Sequence, residues 1–323
     1  MSARERLRWT VTDEPPAQPA LFDEPPEREI GTGEFRGLEF LHVRARTIIN
    51  DIGGNAPMPF RYTINAYRGC SHACDYCFAR PTHEYLNLNT SDDFERVIVV
   101  KVNAVEKLRA ELAPKRWRGD HIAMGTNTDP YQRAEGKYRL TRGIIEVLTA
   151  AGNPFSILTK GTLVLRDLEL LTAAAELGLV RVNFSIGTLD AEVWRATEPG
   201  APHPRKRVEA LVRLREAGVP VGVLVAPVLP GLSDRRDQLS EVVRACVEAG
   251  AESITPVLLH LRPGVREHYL ASLAEHRPDL LSLHHRLYRR AYAPKAERDR
   301  LSRVVGELVR EHRGMAAHRS RPR

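Results

Sequence analysis

Three of the four cysteines in this chain stand within eight residues of one another: Cys70, Cys74 and Cys77. They occupy the stretch Gly69-Cys70-Ser71-His72-Ala73-Cys74-Asp75-Tyr76-Cys77-Phe78, a C-x3-C-x2-C spacing. A disulfide framework distributes its cysteines, whereas a clustered set speaks for a metal. Three thiolates this close can reach three irons on one face of a cubane [4Fe–4S] cluster and leave the fourth iron open. Ferredoxin-type clusters need a fourth cysteine, and none is placed for it. A structural zinc ion would want a fourth ligand. His72, His83 or Cys246 can supply one, so a zinc-stabilised nucleic-acid-binding module without catalysis is the alternative reading. Cys246 follows Val243 and precedes Val247 in a helical pattern, which is the setting of a small core residue.

The elements that must position these thiols are legible from hydrophobic periodicity. Short β-branched runs at Arg61–Tyr67, Val97–Val102, His121–Gly125, Phe155–Thr159, Val180–Ile186, Val219–Ala226 and Ser253–Leu259 alternate with helical patterns. The helices are expected over Ala104–Leu112, Thr141–Ala150, Leu165–Leu177, Arg205–Ala217 and Leu239–Ala249. Such alternation implies a parallel sheet covered by helices, either doubly wound or a complete or partial barrel. No GxGxxG follows the first strand, which weakens a dinucleotide-binding version. In either architecture ligands bind at the C-terminal ends of the strands. The cysteine loop leaves the first of those ends.

Lys plus Arg number 48 and Asp plus Glu 41, a net charge of +7. Residues 286–323 hold twelve basic residues and four acids, a net of +8, so the rest of the chain sits at −1. That distribution argues against a basic nucleic-acid-binding core and leaves a basic tail. Residues 1–36, with five prolines and eight acids, are expected to form a disordered or loosely attached leader. A second irregular stretch is expected at Asn50–Pro59. Residues 37–262 then form the barrel with an N-terminal extension, and 263–323 a basic helical C-terminal appendage. No apolar run is long enough to span a membrane, and the N-terminus lacks the apolar stretch of a signal peptide, so a cytoplasmic location is expected.

The C-x3-C-x-aromatic-C motif in a loop leaving the first strand of a βα series resembles the signature of the radical S-adenosylmethionine (SAM) superfamily. More narrowly, the chain is similar to the spore photoproduct lyase-like branch and its uncharacterised bacterial members. The matching segments include 65–70, 77–85, 125–132, 158–160, 185–190, 198–202 and 226–231, in order over roughly residues 40–275. The resemblance implies an α/β fold built as a partial (β/α)6 barrel. It further implies a [4Fe–4S] cluster on Cys70, Cys74 and Cys77, SAM as cofactor, and a one-electron reductant such as flavodoxin or ferredoxin. Reductive cleavage of SAM then yields a 5′-deoxyadenosyl radical that abstracts hydrogen from substrate. The lyase uses an additional cysteine as hydrogen donor near the second barrel strand. Here His121 to Tyr131 contains none, which separates photoproduct repair from SAM cleavage.

Site residues follow from strand ends. In the resemblance Lys160 meets the SAM carboxylate, and Ser185 bonds the carboxylate or ribose unless it bonds a backbone carbonyl. Thr126 and Asp129 stand where the family holds the SAM amino group, although Asp129 can instead cap the turn at Pro130. Val228, in the loop expected at 226–231, is assigned to the adenine face, and Phe78 to shielding the cluster. Arg195 and Glu198 either face the mouth or pair with each other. Tyr131 is the candidate hydrogen relay in place of the missing cysteine, with Tyr67 and Tyr76 as further mouth residues. The substrate stays open, with nucleic acid reachable through the basic C-terminal helices.

Overall fold

The computed structural model describes residues 26–53, 58–114 and 117–319. Eleven strands follow in chain order: β1 (Glu27–Ile30), β2 (Glu39–Val43), β3 (Ile49–Asp51), β4 (Tyr62–Ile64), β5 (Tyr67–Arg68), β6 (Val97–Lys101), β7 (Ile122–Met124), β8 (Phe155–Thr159), β9 (Val180–Ser185), β10 (Val221–Val228) and β11 (Ser253–Leu258). Six of them, β4, β7, β8, β9, β10 and β11, pair in parallel in that order. β3 joins β4 antiparallel at one edge and β11 forms the other. This is the partial (β/α)6 barrel. The central strands β7 to β10 are apolar and mostly buried because helices cover their outer faces; helix Leu140–Ala150 presents Ile144, Ile145 and Leu148 to the core at helical spacing.

The first expected strand, Arg61–Tyr67, divides. Its start enters the barrel as β4, and its end crosses to a second sheet of order β1-β2-β6-β5. Val97–Lys101 therefore belongs to that smaller sheet, where it pairs in parallel with β2 and antiparallel with β5. The chain passes from one sheet to the other immediately before Gly69 and Cys70. The cysteine loop is thus gripped between two sheets.

Two expectations need correction. Residues 1–25 lie outside the described residues, but the end of the supposed leader is built into the fold. β1 pairs antiparallel with β2, from Glu27 opposite His42 to Ile30 opposite Glu39. Glu29 is paired with Lys137 and accepts from the Tyr138 hydroxyl at 3.0 Å. A polar, proline-rich composition shows no core face by itself, and here the partners come from a distant part of the chain. The irregular stretch expected from Asn50 likewise begins inside β3, with residues 54–57 outside the described set.

The C-terminal region is less of an appendage than its composition suggests. Helices Val265–His276, Leu281–Leu287 and Lys295–Arg319 are present. The last packs on helix Arg236–Glu248 and on β11. Leu301, Val305 and Leu308 are buried in the same core as the barrel strands. β11 is an edge strand whose outer side needs apolar cover, and this helix supplies it. No helix among the described residues is long and apolar enough to cross a membrane. Leu308→Ala should lower stability by about 2–5 kcal/mol, read as a fall in the urea midpoint. Exposed Arg303→Ala on the same helix should stay within about 0.5 kcal/mol of the parent. Equal effects of the two changes would show that the helix is not part of the core.

Candidate active site

The cysteine loop has no ladder of its own, so each of its polar backbone groups must find a partner elsewhere. Cys70 N–H donates to Phe94 O at 2.9 Å, just before β6. Gly69 O accepts from Thr128 Oγ1 at 2.6 Å and from Gln132 Nε2 at 2.9 Å, while Gln132 Oε1 accepts from Ser71 N–H at 3.0 Å. Both residues come from the loop after β7. From the segment after β9, Gly200 N–H donates to His72 O at 3.1 Å and Thr197 O accepts from Asp75 N–H at 3.1 Å. A Cβ at position 200 would lie 2.1 Å from Ser71 O, so only glycine permits this approach. Arg80, wholly buried, donates to Cys74 O from Nε at 3.1 Å and Nη2 at 2.9 Å, and is paired with Glu95. The C-terminal region adds a last clamp, Ser272 Oγ to Asp75 Oδ2 at 2.5 Å.

Inside this cradle Cys70 and Cys74 are buried and Cys77 is half-buried; all three are free of disulfides. Burial pushes all three thiols up, Cys74 to about 12. Unliganded, they are neutral; a bound cation would stabilise the thiolates and displace the protons. The residues named above as a fourth zinc ligand have other contacts. His72 Nδ1 lies 3.3 Å from Asp129 Oδ2. His83 Nε2 is 3.0 Å from Val97 O. Cys246 is buried in helix Arg236–Glu248 within the barrel core, its thiol raised by burial to about 12. Among the described residues no three His, Cys, Asp or Glu side chains converge as ligands of a single ion. Three cysteine thiols in one loop have the donor chemistry of an iron–sulfur cluster that leaves one iron open.

Beside the loop lies a charged set at the strand ends. Lys160 follows β8, and its Nζ donates to Ser185 Oγ at 2.7 Å at the end of β9. Ser185 Oγ in turn donates to Ala226 O at 2.7 Å in β10. Lys160 Nζ stands 3.9 Å from Glu198 Oε1 and 5.7 Å from the centroid of the Tyr76 ring. Glu198 is buried and pairs with Arg207 and the Tyr76 hydroxyl. Burial alone would raise its carboxyl, but the cations of Arg207 and Lys160 outweigh it and hold it below the usual range. Arg207 also donates to Ser185 O at 3.0 Å and Pro202 O at 2.8 Å. Lys160 and Ser185, predicted from separate strands, thus meet each other and the cluster loop. Glu198 does not pair with Arg195. Arg207 was not anticipated, yet it lies on the stripe of Ala210, Leu211 and Leu214 in helix Pro204–Glu216. A charge on an apolar stripe is a readable signal.

The remaining candidates divide. Thr126, half-buried at the end of β7, exchanges hydrogen bonds with Asn65 at 3.1 and 3.4 Å. Asp129 is a capping and anchoring group. It accepts from Tyr131 N–H at 2.9 Å, Thr159 Oγ1 at 2.6 Å and Lys160 N–H at 2.7 Å, with His72 alongside. Burial opposes its charge, but His72 and these donors prevail and hold it at about 2. Val228 is a correction: β10 runs one turn of pleat further than expected, so Val228 pairs with Leu258 and is fully buried in the core. Ala226 and Pro227 are the half-buried residues there. Tyr131 is a second correction. The Asp129 cap turns it into the core, where its hydroxyl donates to Asp167 at 3.1 Å, itself paired with Arg142 and Arg166. Tyr67 is similarly committed to Glu135 at 2.5 Å. Phe78 points outward, 39% exposed, with its ring 5.6 Å from that of His260. A cavity of about 410 Å³ borders the loop at His72 and Gly200 but shares no residue with the Lys160, Ser185 and Glu198 set.

Comparison with known proteins agrees with this geometry. The model of the Radical SAM superfamily matches residues 64–246. An uncharacterised protein of Mycobacterium tuberculosis is 45% identical over 296 residues, covering 91% of this chain and 87% of its own. An uncharacterised protein of Acidianus two-tailed virus is 30% identical over 254 residues, covering 76% and 83%. Among solved structures, a spore photoproduct lyase mutant with bound AdoMet and dinucleoside spore photoproduct superposes with a TM-score of 0.60. That match covers 84% of this chain and 79% of the lyase at 18% identity, and shows a shared fold.

Acid should probe the anchoring carboxylate. Its value is depressed from 3.8 to about 2 in the folded protein, so its contribution is fully present above about pH 4 and disappears towards pH 2. That depression corresponds to roughly 2.5 kcal/mol. Asp129→Asn in the metal-free protein should cost about that at pH 6 and make the acid limb of the urea midpoint against pH shallower. An unchanged limb would remove Asp129 as the anchor.

Proposed function

Since the chain belongs to the radical SAM superfamily, we propose that Cys70, Cys74 and Cys77 hold a [4Fe–4S] cluster and that Lys160, Ser185 and Thr126 hold SAM against it. The observation that supports this most directly is the meeting of Lys160 Nζ with Ser185 Oγ at 2.7 Å beside two buried thiols and a half-buried one. A reduced cluster of this kind supplies the electron that cleaves SAM to methionine and a 5′-deoxyadenosyl radical.

The protein's own part is binding, orientation and exclusion of water. Lys160 is oriented by Ser185 and offers its ammonium to the SAM carboxylate. Glu198 keeps a negative charge near that ammonium and is itself held by Arg207 and Tyr76, so the lysine is fixed before SAM arrives. Thr126, oriented by Asn65, faces the amino end. The raised thiols reserve their ionisation for iron.

For the hydrogen donor to the radical we favour nucleic acid, on the basic surplus of residues 286–323. The fold relative captured with a dinucleoside photoproduct is consistent with that class. The photoproduct lyase reaction itself is not assigned. The only cysteine outside the cluster loop, Cys246, is buried in the core and out of reach as a hydrogen donor.

Anaerobic reconstitution with iron and sulfide should give brown protein with roughly four irons per chain. With SAM and dithionite it should release 5′-deoxyadenosine. Cys74→Ala should keep its circular dichroism spectrum and lose both iron and product. Colourless parent protein carrying one zinc would reverse the reading. Lys160→Met keeps the aliphatic stem and removes the charge. It should retain iron but bind SAM about ten- to a hundredfold more weakly, the loss of one charge-assisted contact of roughly 1.5–3 kcal/mol. SAM affinity equal to the parent would place the carboxylate elsewhere.

A further inference from the structure

Directly outside the cysteine loop, three rings stand in a row. Phe78 follows the last cysteine, and its ring is tilted 34° to that of His260 at 5.6 Å. His260 stacks on Tyr292 at 5.4 Å and 18°. Arg298 lies over the other part of Tyr292, its guanidinium carbon 5.9 Å from the ring centroid. The row is rigid: His260 and Tyr292 form an antiparallel bridge, and Leu261 N–H donates to Ala291 O at 2.7 Å. It is also placed at the barrel mouth, because His260 closely follows the C-terminal end of β11.

Buried aromatic rows are ordinary packing, but the two ends of this one are in solvent. Tyr292 is 52% exposed and Phe78 39%. Arg262, Arg289, Arg290 and Arg298 are exposed on the segments that carry it; among the described residues Arg262, Arg289 and Arg290 form no salt bridge, while Arg298 interacts with the neighbouring Asp299 carboxylate. Some basic residues of the last helix are paired within it, as Lys295 is with Asp299 and Arg300 with Glu297. The surface therefore combines solvent-exposed aromatic side chains with exposed arginines. Burial and neighbouring Arg262 keep the His260 imidazole below its ordinary value, so it is a neutral ring at neutral pH.

We propose that Phe78, His260, Tyr292 and Arg298 form a stacking platform for single-stranded nucleic acid, with Arg289 and Arg290 meeting its phosphates. Bases unpaired from a partner strand present π-faces that stack on aromatic side chains, and arginine stacks in the same manner. A duplex hides those faces. The platform would lead a strand to Phe78, the residue that follows Cys77. It rests on the reading of nucleic acid as substrate for its catalytic meaning, whereas binding can be measured without SAM or reductant, so the two fail separately.

The test is fluorescence anisotropy of the full chain with fluorescein-labelled (dT)12, (U)12 and a 12-base-pair duplex. Single strands should bind at least tenfold more tightly than duplex, and the tighter of the two single strands identifies the sugar. Tyr292→Leu keeps apolar bulk and removes the ring face. It should weaken single-strand binding about tenfold or more and leave duplex binding unchanged. Replacing Arg289 and Arg290 by Gln should weaken all probes and reduce the salt slope by about 0.7 per arginine for single strands. Thermal melts matching the parent confirm that each variant is folded. Absence of binding at low salt, equal binding of duplex and single strand, or parental affinity in both Tyr292→Leu and His260→Leu would overturn the platform.

Discussion

Burying three thiols side by side in a loop sets the terms for everything around them. A loop cannot satisfy its own amides and carbonyls as a helix or ladder does, and unsatisfied buried groups are costly. Here the partners come from four directions: Phe94 before β6, Thr128 and Gln132 after β7, Thr197 and Gly200 after β9, and Ser272 in a C-terminal helix. The loop therefore acquires its shape only when both sheets and the C-terminal helices are assembled. The close approach at Gly200 makes the same point sterically, since no side chain fits against Ser71 O.

Around that loop the buried charges form two sets with different work. One set, Lys160, Glu198 and Arg207 with Tyr76 and Ser185, lies beside the thiols. The other, Glu135, Arg142, Arg166 and Asp167 with Tyr67 and Tyr131, lies in the helical layer. Buried ion pairs seldom add net stability, because desolvation offsets their attraction. Their value is orientation. In the first set two cations, Lys160 and Arg207, share one carboxylate, and Lys160 also meets one hydroxyl and one ring. In the second set every charge is matched, which is why Tyr131 is a framework residue.

The C-terminal helices join these arrangements. Their apolar side covers β11 and part of the loop, in a cluster that includes Cys74, Tyr76, Leu261, Tyr269 and Tyr288. Their polar side carries the chain's surplus of positive charge. One segment thus completes the core and shapes the surface at the mouth, and these two roles use opposite faces of the same helices.

How much of this was legible before folding depends on the range of the interaction concerned. The thiol spacing is local, and periodicity is local, so the cluster motif and most barrel strands could be read directly; Phe155–Thr159 and helix Ala104–Leu112 have the expected bounds. Lys160 and Ser185 were found because strand ends in a parallel sheet face one mouth. What tertiary structure decided was long-range. β1 looked like part of a polar leader because its composition shows no core face; it pairs with nearby β2, but the side-chain partners of its Glu29, Lys137 and Tyr138, lie over a hundred residues away. Val97–Lys101 reads as a strand, but only pairing with β2 assigns it to the smaller sheet. Val228 and Tyr131 sit within two residues of mouth positions, and two residues of strand length or one capping carboxylate turned each into the core. The row of Phe78, His260 and Tyr292 draws on three separate segments, and no spacing in the chain could announce it. Sequence determines which groups can ionise, ligate or stack; the distances at which they do so exist only once the two sheets close around the loop.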